Sequence, residues 1–265
     1  LFYFFVGGDA GSYEIDVNFG QKPFKFPPPD GFQSINAANT RPVKVIPRSD
    51  QYVGITTYTG TTGAGTIKDD NIKFTPDFVW LKSTSNSEGH ALYDTVRGST
   101  GGNFYRLRSD TNAAQNSPTN ELSSMIEGGF TVNNNGHCYY NGYTYVAWCW
   151  RAGGSKNTFN VDDVGYASAA AAGLDGGTIN PTGASVGTKQ GFSILKYTGS
   201  GSDGSIAHGL SQAPDFFFGR DLEDSGGSRD WIIYHKSIGG TGRLKFTTGS
   251  TSTSSAFFQN TAPSN

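Results

Sequence analysis

Short runs of alternating apolar and polar residues, each closed by Gly, Asn, Ser or Pro, recur along this chain and predict strands rather than helices. Tyr13-Glu14-Ile15-Asp16-Val17-Asn18-Phe19 alternates with period two and stops at Gly20. Pro27-Pro28-Pro29-Asp30-Gly31 then blocks continuation, because proline cannot donate to a ladder and Asp-Gly turns the chain. Further strands are expected at Tyr52 to Tyr58, Phe78 to Lys82, Ala91 to Val96, Asn103 to Arg108, Gly129 to Val132 and Tyr143 to Trp150. Ala167 to Gly173 has the composition for one or two helical turns before the Gly176-Gly177 and Pro181-Thr182-Gly183 breaks. The opening run Leu1 to Val6 lacks the basic flank of a signal peptide and reads as a buried strand. No stretch approaches the roughly 18 apolar residues that a membrane-spanning helix needs, so no membrane insertion is expected.

The strand pattern repeats. Tyr58-Thr59-Gly60 followed by Pro76-Asp77-Phe78 returns as Tyr197-Thr198-Gly199 followed by Pro214-Asp215-Phe216. Each is followed by an aromatic strand, Leu92-Tyr93-Asp94 or Ile233-Tyr234-His235, and a glycine, Gly98 or Gly239. The first copy continues through Gly129 to Val132 and Tyr143 to Trp148, for which the second has no counterpart, so the second module reads as truncated. The expected fold is all-β: tandem antiparallel β-sandwich modules, concanavalin A-like or jelly-roll-like, with little helix. The expected divisions are residues 1–36 as alternating strand and turn, 37–50 as a linker, 51–154 as module one, 155–190 as a connector packed as decoration, and 191–265 as module two, truncated at its C-terminus.

Composition agrees with short strands and many turns. Glycine accounts for 37 of 265 residues, charged residues for 16%, and net charge is −2. Such a surface offers no electrostatic attraction for nucleic acid. Of the two cysteines, Cys138 is placed opposite Tyr145 by a two-residue hairpin at Asn141-Gly142, and Cys149 lies four residues further on. That is about 13 Å along the strand at ~3.3 Å per residue, beyond the ~7 Å a disulfide allows, so two free core thiols are expected.

Candidate chemistry is sparse. Trp231 and His235 share a strand face by period two, and His208 precedes a turn that could bring it near them, as a polar aromatic ligand patch or half of an acid/base site. The competing reading is a buried histidine bonded to a turn carbonyl, favoured because the other copy has Asp70 or Asn71 near the place of His208 and Asp94 near that of His235. Asp77 and Asp215 follow proline in both copies and suit turn capping. Arg106-Leu107-Arg108 suits pairing with Asp110 or Glu121, and Asp221-Leu222-Glu223-Asp224 lacks the spacing of a calcium loop. The expected hairpin places Tyr140, Tyr143 and Tyr145 on one face and Tyr139, Thr144, Val146, Trp148 and Trp150 on the other. One face packs in a core, and the remaining aromatics are candidates for ligand stacking or an interface with a neighbouring module or chain. No nucleophile elbow, phosphate loop, paired Cys-x-x-Cys or metalloprotease motif is present, so no enzyme, no metal and no cofactor is expected.

Two resemblances add to this reading. Asp16-Val17-Asn18-Phe19-Gly20-Gln21-Lys22-Pro23-Phe24, with Pro28-Pro29-Asp30-Gly31-Phe32, resembles the closing strand and exit of a SPRY domain, and the resemblance implies that residues 1–36 are the C-terminal remnant of a concanavalin A-like β-sandwich. The series from Tyr58-Thr59-Gly60 through Pro76-Asp77-Phe78-Val79-Trp80-Leu81-Lys82, Asp94-Thr95-Val96-Arg97-Gly98, Gly129 to Val132 and Tyr145 to Trp150, then Ala207-His208-Gly209-Leu210 and Trp231 to His235, resembles a module of unassigned function in tail and fibre proteins of marine bacteriophages. Arg220 departs from that pattern, which usually has Lys there. The resemblance implies a virion protein of a tail fibre, spike or capsid fibre, exposed on the particle, assembled as a homotrimer with other virion proteins, and meeting a host-surface glycan or protein receptor. The alternative from another class is a secreted lectin-like or carbohydrate-active protein.

Overall fold

The computed structural model describes residues 48–116, 118–224, 229–246, 251–253 and 258–264. The SPRY-like strand of residues 1–36, and most of the expected linker, lie outside the described residues. The described chain is all-β, with a single 3-10 turn at Ser49–Gln51.

The first repeat supplies β1 (Val53–Thr59), β2 (Gly65–Lys68), β3 (Phe78–Ser83), β4 (Ala91–Asp94), β5 (Ser99–Thr100), β6 (Asn103–Phe104), β7 (Leu122–Ile126), β8 (Gly129–Val132) and β9 (Thr144–Trp150). They form one sheet in the order β1-β9-β3-β4, a second in the order β2-β8-β7, and the small hairpin β5-β6. Period two sorts the side chains of the first sheet. Tyr145, Ala147 and Cys149 of β9, with Val79 and Leu81 of β3, are buried against Phe130 and Val132 of the opposite sheet. Val53 and Ile55 of β1, Trp148 and Trp150 of β9 and Phe78 and Trp80 of β3 point to the other face.

The expected hairpin at Asn141-Gly142 requires correction. The turn exists, closed by the Tyr143 amide donating to the Tyr140 carbonyl at 3.0 Å, but residues 134–140 are not a strand. β9 instead spends both edges on β1 and β3. The preceding segment is tied down by tyrosine hydroxyls: Tyr145 donates to the Gly136 carbonyl and accepts the Tyr140 amide, each at 2.9 Å, and Tyr58 donates to the Cys138 carbonyl at 2.6 Å. Cys138 and Cys149 are free and buried, and burial pushes the Cys149 thiol up to about 12.

Residues 155–190 contribute more than a decorating connector. β10 (Phe159–Val161), β11 (Val164–Tyr166) and β12 (Pro181–Gly187) join β13 (Phe192–Tyr197) in a sheet ordered β11-β10-β12-β13, in which β10 and β12 run parallel. Phe159, Leu174, Ala184 and Val186 close a small core on this sheet. The alanine-rich segment makes a single turn, with the Leu174 amide donating to the Ala169 carbonyl at 2.9 Å, and ends at Gly173 in the left-handed region (φ 69°). So short a segment cannot repay helix nucleation before that glycine.

The second repeat continues with β14 (Phe216–Gly219), β15 (Ile232–His235), β16 (Gly242–Leu244) and β17 (Thr251–Thr253), paired in sequence order. It reproduces the first repeat's register. Phe78 opposes Asp94 as Phe216 opposes His235, and Trp80 opposes Leu92 as Phe218 opposes Ile233. The Thr95 amide donates to the Asp77 carbonyl at 3.0 Å and the Lys236 amide to the Asp215 carbonyl at 2.9 Å. Gly98 and Gly239 take left-handed φ of 76° and 73° at the same turn.

The outward aromatic face of the first repeat is not solvent-facing. Phe78, Trp80 and Trp150 pack against Phe192, Ile194 and Phe218 of the second repeat around buried Leu92, Leu107 and Trp231. The Phe78 ring lies 6.2 Å from that of Phe192 and 6.1 Å from that of Phe218, and Trp150 stacks on Phe192 at 6.2 Å and 22°. Repeat therefore meets repeat through equivalent faces.

Candidate functional site

The residues proposed for a histidine and tryptophan patch are held by structural bonds. Trp231 is 1% exposed, and its indole N–H donates to the carbonyls of Arg108 and Thr111 at 3.0 and 3.2 Å. Its ring meets Phe218 and Phe246 at 5.9 and 5.5 Å. His235 does share a face with it, as period two predicts, but its Nδ1 accepts the Ser237 amide at 3.2 Å and so caps the turn after β15. Asp94 does the same work in the first repeat, where a carboxylate oxygen accepts the Arg97 amide at 2.7 Å. Both side chains cap the turn, and Asp94 in addition pairs with the buried Arg97 guanidinium, whose place in the second repeat is taken by Ile238. His208 stands elsewhere: one ring nitrogen accepts the Leu210 amide at 3.0 Å and the other bonds the Ser264 carbonyl at 2.9 Å. The three residues do not converge on one site.

His90, which carries no sequence signal of its own, occupies in the first repeat the place of Trp231, one residue before the strand that pairs with Leu81 or Gly219. Its Nδ1 accepts the Trp80 indole N–H at 2.8 Å, and burial lowers its proton affinity. The Lys-to-Arg departure at residue 220 also preserves a role. Lys82 donates to the Ser83 carbonyl at 2.6 Å, and Arg220 donates to the carbonyls of Arg229 and Asn112, so each cation satisfies carbonyls of the loops beside its strand.

The tyrosine set divides. Tyr145 is fully buried and Tyr139 is 7% exposed, so both belong to the core of the first repeat. Tyr140 is exposed and Tyr143 half-buried, with ring centroids 4.9 Å apart at 44°. They flank the Asn141-Gly142 turn at the tip beyond β9. The tip leans on the end of β1, where the Gly60 amide donates to the Tyr143 carbonyl at 2.8 Å. A Cβ on Gly60 would lie 2.2 Å from the Tyr140 carbonyl oxygen, which makes glycine necessary at this close approach. In the segments flanking the pair, Thr84 bonds Thr144 at 2.6 Å and Thr61 bonds Tyr139 at 2.8 Å. The tip thus carries two tyrosine rings on a turn that enters a strand paired on both edges.

Three carboxylates are buried among the described residues: Asp94, Glu121 and Asp77. Glu121, 1% exposed, accepts the Tyr93 hydroxyl at 2.6 Å and pairs with Arg106, while Arg108 pairs with Asp110 at 2.7 Å. Asp77, 2% exposed, accepts the amides of Ala152 at 2.7 Å and Gly154 at 3.1 Å, joining the start of β3 to the chain leaving β9. Burial raises the Asp77 pKa. A carboxyl raised in the folded state contributes stability that is full below its unfolded pKa and is lost as pH rises through the folded one. Asp77→Asn, which keeps an acceptor for both amides, is therefore expected to flatten this part of the pH dependence, and the wild-type chain should lose stability relative to the variant from pH 4 to pH 7 in paired thermal melts.

Among the described residues no group of three or more His, Cys, Asp or Glu side chains is placed to hold a metal ion. Asp221 accepts the Glu223 amide at 3.0 Å and pairs with Arg229, a turn rather than a calcium loop. A shallow polar cavity of about 280 Å³ lies between Thr95-Val96 and residues 155–160, lined by Ser155, Asn157, Thr158 and Asn160, and none of the candidate residues reaches it. No helix among the described residues is long and apolar enough to cross a membrane.

No curated protein matches this chain, and no solved structure matches it. Residues 48–265 match one family, which spans both repeats and the strands between them. The chain belongs to the family described as Domain of unknown function (DUF7483).

Proposed function

We propose that this chain is a structural protein of a bacteriophage virion, a component of a tail fibre, spike or capsid fibre that displays β-sandwich modules for attachment to the host surface. The observation that carries the reading furthest is the Tyr140–Tyr143 pair, with Tyr140 46% exposed at the turn that enters β9, a strand paired on both edges. Paired tyrosines suit the apolar face and hydroxyls of a sugar ring, at little entropic cost because the strand end is already ordered. The resemblance to marine phage fibre modules, and the low charge and repeated β architecture, support the virion context. A homotrimer, on the same resemblance, would present three tips and gain avidity from weak sites, by about 100-fold or more when linker geometry allows.

The same tip favours a second reading, a secreted lectin-like or carbohydrate-active protein. Immunogold labelling of native particles and a host-glycan array, run with a depolymerisation assay, separate the two. Particle labelling with binding and no product is expected, whereas product release or absence from particles would favour the second reading. Tyr140→Ala should weaken glycan binding about tenfold, the loss of roughly 1.4 kcal/mol of stacking, without changing thermal stability. Unchanged binding in that variant would remove the tip from the function.

A further inference from the structure

Among the described residues, three positions of the second repeat lack what their counterparts in the first repeat touch, and all three differences concern the place that β9 fills in the first repeat. Tyr58 ends β1 with its ring stacked on Tyr145 of β9, at 5.2 Å and 17°, whereas Tyr197 at the same place on β13 is exposed. Gly60 is pressed against the Tyr140 carbonyl, whereas a Cβ on Gly199 would meet nothing within 4 Å among the described residues. Asp77 caps the amides of Ala152 and Gly154 beyond β9, whereas the Asp215 side chain is 68% exposed and pairs with Lys236. In the first repeat β9 lies between β1 and β3 and pairs antiparallel with both. Among the described residues, β13 pairs with β12 alone and β14 with β15 alone, so the corresponding edges are open. Phe192 of β13 and Phe218 of β14 both rest on Phe78, which brings the two edges over the same part of the first repeat.

We infer that the edges of β13 and β14 form a strand-binding slot whose partner is an extended segment of β9's chemistry, running antiparallel to both. The partner carries a tyrosine that stacks on Tyr197, small residues beside it, and bulky apolar residues at the alternate positions that meet the aromatic face of the first repeat. A turn precedes it and approaches Gly199. Main-chain bonds to two open edges supply the affinity, and the alternation supplies the register. The inference stands on the internal repeat and is independent of the proposed host-attachment role.

The probe is a fluorescent peptide of residues 139–151, carrying Cys149→Ser, titrated into the 265-residue chain. Saturable one-to-one binding is expected, with amide hydrogen exchange slowed at 192–197 and 216–219. Gly199→Val is expected to weaken binding at least tenfold while leaving the melting temperature of the free chain unchanged, because its side chain occupies space that is open until the partner arrives. A Tyr145→Ala peptide is expected to show the same loss. No binding, equal binding of a scrambled peptide, or binding without protection of the two edges would overturn the inference. So would edges already protected in proportion to chain concentration and not displaced by the peptide, which would assign the slot to a second copy.

Discussion

Glu121→Ala is expected to destabilise the first repeat by about 3–5 kcal/mol, the usual cost of removing one partner of a buried ion pair. The Arg106 side chain is 12% exposed and the Glu121 side chain 1%, so the guanidinium cannot recover its lost partner from water. The Tyr93 hydroxyl, in a residue with no exposed surface, loses its acceptor in the same change. Burial raises the Glu121 pKa, with Arg106 opposing that shift, as for a carboxylate whose desolvation is offset by one cation. Glu121→Gln keeps an acceptor for Tyr93 but leaves Arg106 uncompensated, so a smaller loss is expected. Urea unfolding of both variants checks this; a loss under 1 kcal/mol in Glu121→Ala would show that the pair contributes specificity rather than stability.

The second large effect is expected at the junction between repeats. Trp231→Ala removes a fully enclosed indole, a change that costs about 3–5 kcal/mol in a packed core. Packing against Phe218 and Phe246 is lost, and the carbonyls of Arg108 and Thr111 lose their shared donor. Those carbonyls belong to the first repeat, so Trp231 joins the repeats by hydrogen bonds as well as by area. The main core of the first repeat lies on the far side of its sheet. Hydrogen exchange should therefore quicken at 216–219 and 232–235 in the variant while Val79 and Leu81 stay protected. Equal quickening in both repeats would mean that they unfold as one unit.

A broad part of this architecture is legible in the sequence. Short apolar or alternating runs closed by turn residues mark β1, β3, β8 and β9 to within a residue or two, and the runs of β3 and β9 are continuous because both of their faces are packed. The repeat motifs Tyr-Thr-Gly and Pro-Asp-Phe foretell the shared register, since each marks a strand end or a strand start. The Arg106–Glu121 and Arg108–Asp110 pairs follow from charge and proximity.

Other features are set only by tertiary structure. β12 reads as Pro-Thr-Gly-Ala-Ser-Val-Gly, with neither alternation nor bulk, and is a strand because Ala184, Ser185 and Val186 are all enclosed between neighbours. The Asn141-Gly142 turn is correctly read, but its flank is not a strand, because β1 and β3 compete for both edges of β9 and tyrosine hydroxyls hold the flank instead. Sequence periodicity identifies the outward face of Phe78, Trp80, Trp148 and Trp150, yet cannot say what covers it. Over Phe78, Trp80 and Trp150 the cover is the equivalent face of the second repeat, brought there from far along the chain. His235 looks like chemistry in the sequence and is a turn cap in the fold, because only the backbone geometry beside it shows that an amide has claimed its ring nitrogen. Local pattern determines the strands with bulky apolar runs and which way their side chains alternate; long-range packing decides whether a segment as featureless as β12 becomes a strand, which edges are paired, which faces are covered and which polar groups remain free to act.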